Sequence, residues 1–298
     1  MMDGFINILK PTGMTSHDVV SIVRRLLRQK KVGHTGTLDP NAAGVLPICI
    51  GRATKFSDFV LKDKKRYYAK VNLGLQTDTL DSYGMVTDRR KVVPFQKEQL
   101  LQAIQKFIGE ISQIPPKYSA IKVNGKRLYQ LARLGQELSE IEIKERNIFI
   151  HSINLLECDV DSFSLDIICS SGTYIRSLAV DIAAEIGNIG YLSLLIRTES
   201  GNFYIQDSIT LEELEGQTES LDQNNIIIPI ENILLYYPEY TLDDLLSKIY
   251  LNGGTVFLNN FDLTTGIYRI YSKEDMLLGI GTIFESNSKK YLKNIKFV

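Results

Sequence analysis

Apolar residues recur at helical spacing soon after Thr15. Val19, Val20, Val23, Leu26 and Leu27 share one face, and Arg24, Arg25, Arg28, Lys30 and Lys31 fill the other. Thr15 and Asp18 form the Thr-x-x-Asp pair that caps such a helix by taking up its orphan N–H groups. The run Gly44-Val-Leu-Pro-Ile-Cys-Ile-Gly51 predicts a buried strand, and Arg66–Gly74 predicts a second. Lys97–Phe107 predicts an amphipathic helix stopped by Gly109. Residues 144–155 and 163–169 predict paired strands, and Thr173–Ile186 predicts a helix with Gly187 at its C-cap. From about residue 237 the pattern turns to short β segments, Thr255–Leu258, Ile267–Tyr271, Met276–Phe284 and Ile295–Val298, as in a small barrel. Helices and strands do not alternate regularly enough for a doubly wound sheet, so the predicted class is α+β.

The polar stretch Gln217–Asn225 predicts the approach to a second unit. Ile114–Gly135 combines two prolines, an Asn124-Gly125 turn and the cations Lys117, Lys122, Lys126, Arg127 and Arg133. Such an excursion is either a lid over a substrate or an exposed hairpin. Apolar residues make up 44% of the 298 and charged residues 23%, which suits a packed core and excludes a disordered or collagen-like chain. Apolar runs such as Ile226–Ile230 fall far short of the roughly 20 residues that span a bilayer. The opening MMDGFINILKPTG has polar and turn residues where a signal peptide is apolar, so no membrane association and a cytoplasmic setting are expected. Three cysteines without CxxC spacing argue against a disulfide framework or a zinc ribbon.

Net charge is −1, but its distribution is uneven: residues 1–150 carry 25 Lys+Arg against 14 Asp+Glu, and the rest carry 9 against 21. A basic half is the footprint a polyanion needs, although two solvated surfaces would look the same. Candidate chemistry narrows by elimination. Gly36 is not followed by Lys-Ser/Thr, so there is no phosphate loop, and no GxGxxG follows a strand. His17, His34 and His151 lack metal-ligand spacing, and no G-x-S-x-G nucleophile elbow occurs. Carboxylate chemistry with Tyr and Arg in support remains. Asp39, between a glycine-punctuated stretch and Pro40, is either a loop-tip carboxylate or an Asx-turn. Arg176, in the first turns of a helix, either holds an aspartate ionised or is a surface charge.

Several of these stretches carry a resemblance. Gly33-His-Thr-Gly-Thr-Leu-Asp-Pro-Asn-Ala-Ala-Gly-Val-Leu-Pro-Ile48 resembles the catalytic motif of the TruB family of tRNA pseudouridine synthases. Lys10-Pro-Thr-Gly-Met-Thr-Ser16, Lys65-Arg-Tyr67, Thr77-Asp-Thr79, Ile114-Pro-Pro-Lys-Tyr-Ser-Ala120 and Ser171-Gly-Thr-Tyr-Ile-Arg176 resemble its other motifs, in family order. Two departures stand out: Leu9 replaces an Asp common before Lys-Pro, and Ile196 replaces the first of two adjacent arginines.

The resemblance implies a mixed, largely antiparallel central sheet flanked by helices, over residues 1–236, with a thumb-like RNA-clasping insertion at about 114–140. It implies a small PUA-like RNA-binding barrel over 237–298. The implied reaction turns uridine 55 of the tRNA T-loop into pseudouridine, without cofactor or metal, on the T-arm stem-loop as partner. Monomer is the default. By the same resemblance Asp39, Tyr67 and Arg176 are catalytic. Arg176 would lower the Asp39 pKa. His34, Tyr174, Leu195, Lys10 and Asp78 bind substrate; Lys117, Lys122, Lys126, Arg127 and Arg197 meet the RNA backbone. A guide-RNA-dependent synthase and a tRNA-binding folding helper are the alternatives.

Overall fold

The structure, a computed structural model, describes residues 2–61, 64–116, 118–119, 122–123, 126–127, 144–219, 226–259 and 262–298. The chain begins β1 (Gly4–Lys10), α1 (Ser16–Leu26), β2 (Val32–His34), β3 (Ala43–Ile50), α2 (Ser57–Leu61) and β4 (Lys65–Leu73). Then come β5 (Leu75–Thr77), β6 (Val86–Arg89), α3 (Lys97–Gln105), β7 (Gly109–Gln113) and the short pair β8 (Lys122–Val123) and β9 (Lys126–Arg127). Next are β10 (Arg146–Cys158), β11 (Ser162–Cys169), α4 (Ile175–Glu185), β12 (Gly190–Ser200), β13 (Phe203–Tyr204) and α5 (Leu211–Glu219). The C-terminal part holds β14 (Glu239–Thr241), α6 (Asp244–Leu251), β15 (Val256–Leu258), β16 (Gly266–Tyr271), β17 (Leu277–Ser286) and β18 (Lys289–Phe297).

Local signals act as expected. Thr15 and Asp18 form a reciprocal capping box, and Val19, Val20 and Val23 of α1 are buried. All but the first residue of β3 are buried. The large sheet runs β1-β3-β12-β4-β11-β10-β7, with β2 and β13 paired at its side. Every pairing is antiparallel except β12 on β3. This is the mixed, largely antiparallel sheet that the resemblance implied. Where β3 and β12 meet, Gly44 lies opposite Arg197 with φ +111°, and a Cβ there would stand 2.2 Å from the Arg197 carbonyl oxygen. Only glycine lets the two strands approach so closely.

One core lies beneath α1, α3 and α4 and takes in Ile6, Val23, Tyr67, Ile104, Leu165 and Leu178. A second joins β1 and β3 to the C-terminal part: Phe5, Val45 and Phe56 pack with Ile233, Leu234 and Ile280. A third, with Tyr250, Ile270 and Leu292, belongs to the C-terminal sheet alone. That sheet, ordered β14-β16-β17-β18-β15, curls as half a barrel, and its edges β14 and β15 are not paired with each other. The β pattern passed over α6, which Asp243 caps by accepting from the Leu246 N–H. Lys117 and residues 120–121, 124–125 and 128–140 of the expected thumb lie outside the described residues, and of Lys122, Lys126 and Arg127 only the strand pairing is described. No helix among the described residues is long and apolar enough to cross a membrane.

Candidate active site

Asp39 sits on the loop between β2 and β3, and neighbouring segments hold that loop from three sides. Ser16 Oγ donates to the Leu38 carbonyl at 3.0 Å and accepts from the Leu38 N–H at 2.9 Å. The Lys10 ammonium donates to the carbonyls of Pro11, Met14 and Pro40 at 2.7, 2.7 and 3.2 Å. Arg197 Nε donates to Val45 O and Nη2 to Gly36 O, at 2.8 and 3.2 Å. The Lys-Pro-Thr-Gly-Met-Thr-Ser segment thus fixes the loop backbone, which leaves the Asp39 carboxylate as the free chemistry of the loop.

Helix α4 brings Arg176 onto that carboxylate. Arg176 Nε lies 2.8 Å from Asp39 Oδ2, with the arginine side chain 6% and the aspartate side chain 39% exposed. Nη1 donates to Thr79 O at 2.9 Å and Nη2 to Tyr118 O at 3.0 Å, so the planar fork is held on three sides. Asp81 Oδ2 stands 4.0 Å from Arg176 Nη1 and accepts from Asn41 Nδ2 at 3.2 Å. Asp39, Asn41, Ala42, Asp81, Ser82, Arg176 and residues Leu192 to Leu195 line one narrow cavity.

Arg176 lowers the Asp39 pKa as expected, but burial and a second carboxylate act against it. Burial raises the Asp39 pKa, Arg176 pulls it back, Asp81 adds to the rise, and the net direction is upward rather than downward. Desolvation of a carboxylate outweighs a single partner when a second carboxylate is near. Lys10, buried beside Arg197 and opposed by Asp39, falls to about 8. Burial also raises Tyr67, whose hydroxyl bonds Arg197, its cross-strand partner on β12. His34 is lowered by burial and by Arg197, and its Nδ1 has no hydrogen-bond partner among the described residues.

A model of the TruB family pseudouridylate synthases (N-terminal domain) matches residues 24–175. The chain belongs to the TruB family. It is 44% identical to tRNA pseudouridine synthase B of Alkaliphilus oremlandii over 100% of this chain and 99% of the relative. It is 47% identical to tRNA pseudouridine synthase B of Clostridium kluyveri over 94% of this chain and 95% of the relative. In the crystal structure of a Cbf5-Nop10-Gar1 complex, one chain is similar with a TM-score of 0.74 and 25% identity, covering 99% of this chain and 84% of that one.

Within this TruB-family chain, the structure gives the surroundings of four more of the expected site residues. Arg197 is buried, 1% exposed, and spends its guanidinium on Val45, Gly36 and Tyr67, so it is not presented to an RNA backbone. Lys10 is equally enclosed, and its ammonium holds the backbone of the Asp39 loop. Asp78 accepts from the Met85 N–H and the Tyr118 hydroxyl, which makes it a brace for its own loop. Tyr174 caps α4 with its backbone clamped by the Gln113 amide, close to but not lining the cavity, whereas Leu195 does line it.

Asp81 is the residue the motif reading passed over. The run Thr77-Asp-Thr-Leu-Asp81 offers two carboxylates, and Leu80, at φ +63°, turns the backbone between them. Asp81 raises the Asp39 pKa, so Asp81→Asn is expected to move the acid limb of any Asp39-dependent turnover to lower pH. A pH–rate profile of the two proteins checks the sign, and a limb that stays in place would remove Asp81 from the electrostatics of the site.

Proposed function

We propose that this protein converts uridine 55 in the T-loop of tRNA to pseudouridine. The observation that carries the reading is the Asp39–Arg176 pair at 2.8 Å, on the wall of a cavity, in a chain of this family. The reaction is an isomerisation: the N1–C1′ bond breaks, the base turns, a C5–C1′ bond forms, and the hydrogen on C5 leaves as a proton that returns at N1 from solvent. Atoms and electrons balance within the nucleotide, so no electron carrier is needed.

Asp39 acts at the ribose, by attack at C1′ or by taking the C2′ proton. Both roles require the ionised carboxylate, which the Arg176 fork favours against burial. The target base leaves its stack at a cost of a few kcal/mol and enters the cavity, whose narrow walls must part to admit it. Tyr67, buried and outside the residues that line the cavity, is assigned the stacking ring by the family resemblance. With its pKa raised, the hydroxyl keeps its proton at neutral pH. Tyr67→Phe is therefore expected to retain RNA affinity and a turnover well above that of an Asp39→Asn variant. Binding and single-turnover assays check this, and complete loss of turnover would assign proton transfer to the hydroxyl.

The exposed cations Arg25, Arg28, Lys30 and Lys31 beside α1 suit a phosphate backbone, as does the basic insertion at 114–140. The division at residue 236/237 is supported by the core that the C-terminal part forms by itself, and by the family resemblance that part is assigned as a PUA-like RNA-binding unit. A guide-dependent role has less support: relatives 44–47% identical over nearly the whole chain are named tRNA pseudouridine synthase B. Tritium release from [5-³H]uridine-labelled T-arm stem-loop tests the proposal. Release by the isolated protein is expected. A folded protein that binds the stem-loop and releases none would overturn it in favour of the binding-only or guide-dependent role.

A further inference from the structure

The loop joining β5 to β6 presents an unusual tip. Tyr83 is 63% exposed, Met85 77% and Val86 45%. Single exposed apolar side chains are ordinary on a protein surface, but three within four residues form a patch.

That patch is rigidly mounted. Asp81 Oδ1 accepts from the Tyr83 N–H at 3.0 Å, and Asp78 Oδ1 accepts from the Met85 N–H at 2.8 Å. The Leu80 carbonyl takes the Leu192 N–H of β12 at 3.0 Å, and the Thr79 carbonyl takes Arg176 Nη1 at 2.9 Å. Two buried or braced carboxylates, a sheet strand and the Arg176 fork therefore hold a loop whose tip buries nothing of its own. The position is equally defined. Asp81 and Ser82, the two residues before Tyr83, line the Asp39 cavity, and so does Leu194, itself 38% exposed. The apolar tip thus follows directly along the chain from two residues that line the cavity.

We propose that Tyr83, with Met85 beside it, is a stacking platform for an unpaired nucleobase adjacent to the nucleotide in the cavity. It is a binding residue that sets affinity and preference among RNA loops. Extruding one nucleotide unstacks its neighbours, and a preorganised aromatic face recovers part of that stacking. Polar tips would suffice if the loop only braced Arg176. The inference rests on the isomerase reading of the cavity.

The test compares wild type, Tyr83→Ala, Tyr83→Phe and Met85→Ser with T-arm stem-loop RNA, by direct Kd and by turnover at saturating RNA. Tyr83→Ala is expected to weaken binding about 5- to 100-fold, with kcat little changed. Tyr83→Phe should restore binding, and Met85→Ser should weaken it less than Tyr83→Ala. Removing the neighbouring base from the RNA should abolish the difference between wild type and Tyr83→Ala. An unchanged Kd for Tyr83→Ala overturns the proposal; so does a loss that Phe fails to rescue, or one that appears only in kcat. The Kd arm reads the platform whether or not pseudouridine forms, and wild-type turnover on the same RNA tests the isomerase reading separately.

Discussion

Asp39→Asn is expected to abolish turnover while leaving the T-arm stem-loop bound. The amide keeps the shape of the side chain and an oxygen for Arg176 Nε, which now lies 2.8 Å from Asp39 Oδ2, but it can neither attack C1′ nor take a proton. The same change is expected to raise thermal stability at neutral pH. The folded-state pKa of Asp39 lies above its ordinary value. Its favourable contribution is therefore complete only when the group is protonated, and is lost as pH rises through the folded pKa. Melting curves of both proteins at neutral and acid pH check the sign: the gap should close as pH falls. Full turnover by the variant would remove Asp39 from the mechanism. A lower melting temperature at neutral pH would instead show that the Arg176 contact outweighs desolvation.

Arg176→Lys is expected to cost about a hundredfold in turnover despite conserving charge. A single ammonium cannot reach Asp39 Oδ2, the Thr79 carbonyl and the Tyr118 carbonyl from one point, and the fork now meets all three. The orphaned carbonyls add a stability loss of about 1–3 kcal/mol, readable by urea titration. Arg176→Gln removes the charge as well. Since Arg176 is the principal influence holding the Asp39 pKa down against burial, the acid limb should then move to higher pH, opposite to its movement in Asp81→Asn. Equal and unshifted profiles for wild type and both Arg176 variants would separate the arginine from catalysis.

Much of the frame was legible because its signals are local. A capping box at Thr15, an apolar run between Gly44 and Gly51, and Gly187 after α4 each act within a few residues, and each element formed where its signal lay. The motif order also placed Asp39 and Arg176 as candidates, and they stand in contact. The C-terminal part was less legible. A β-rich pattern passed over α6, whose Asp-Asp-Leu-Leu start reads equally as a turn.

What the sequence by itself determined, then, is the helices and strands with strong local signals and the carboxylate, tyrosine and arginine available to the site. The tertiary structure alone decided which polar groups face the cavity and in which direction the Asp39 pKa moves. Arg197 is buried because its strand lies between β3 and β4, and Lys10 because three carbonyls enclose its ammonium. Asp81 enters the cavity while Asp78 braces the loop, because the chain turns at Leu80. The rise in the Asp39 pKa has the same origin. Desolvation and the nearness of Asp81 arise between segments far apart in the chain, and no local spacing encodes them.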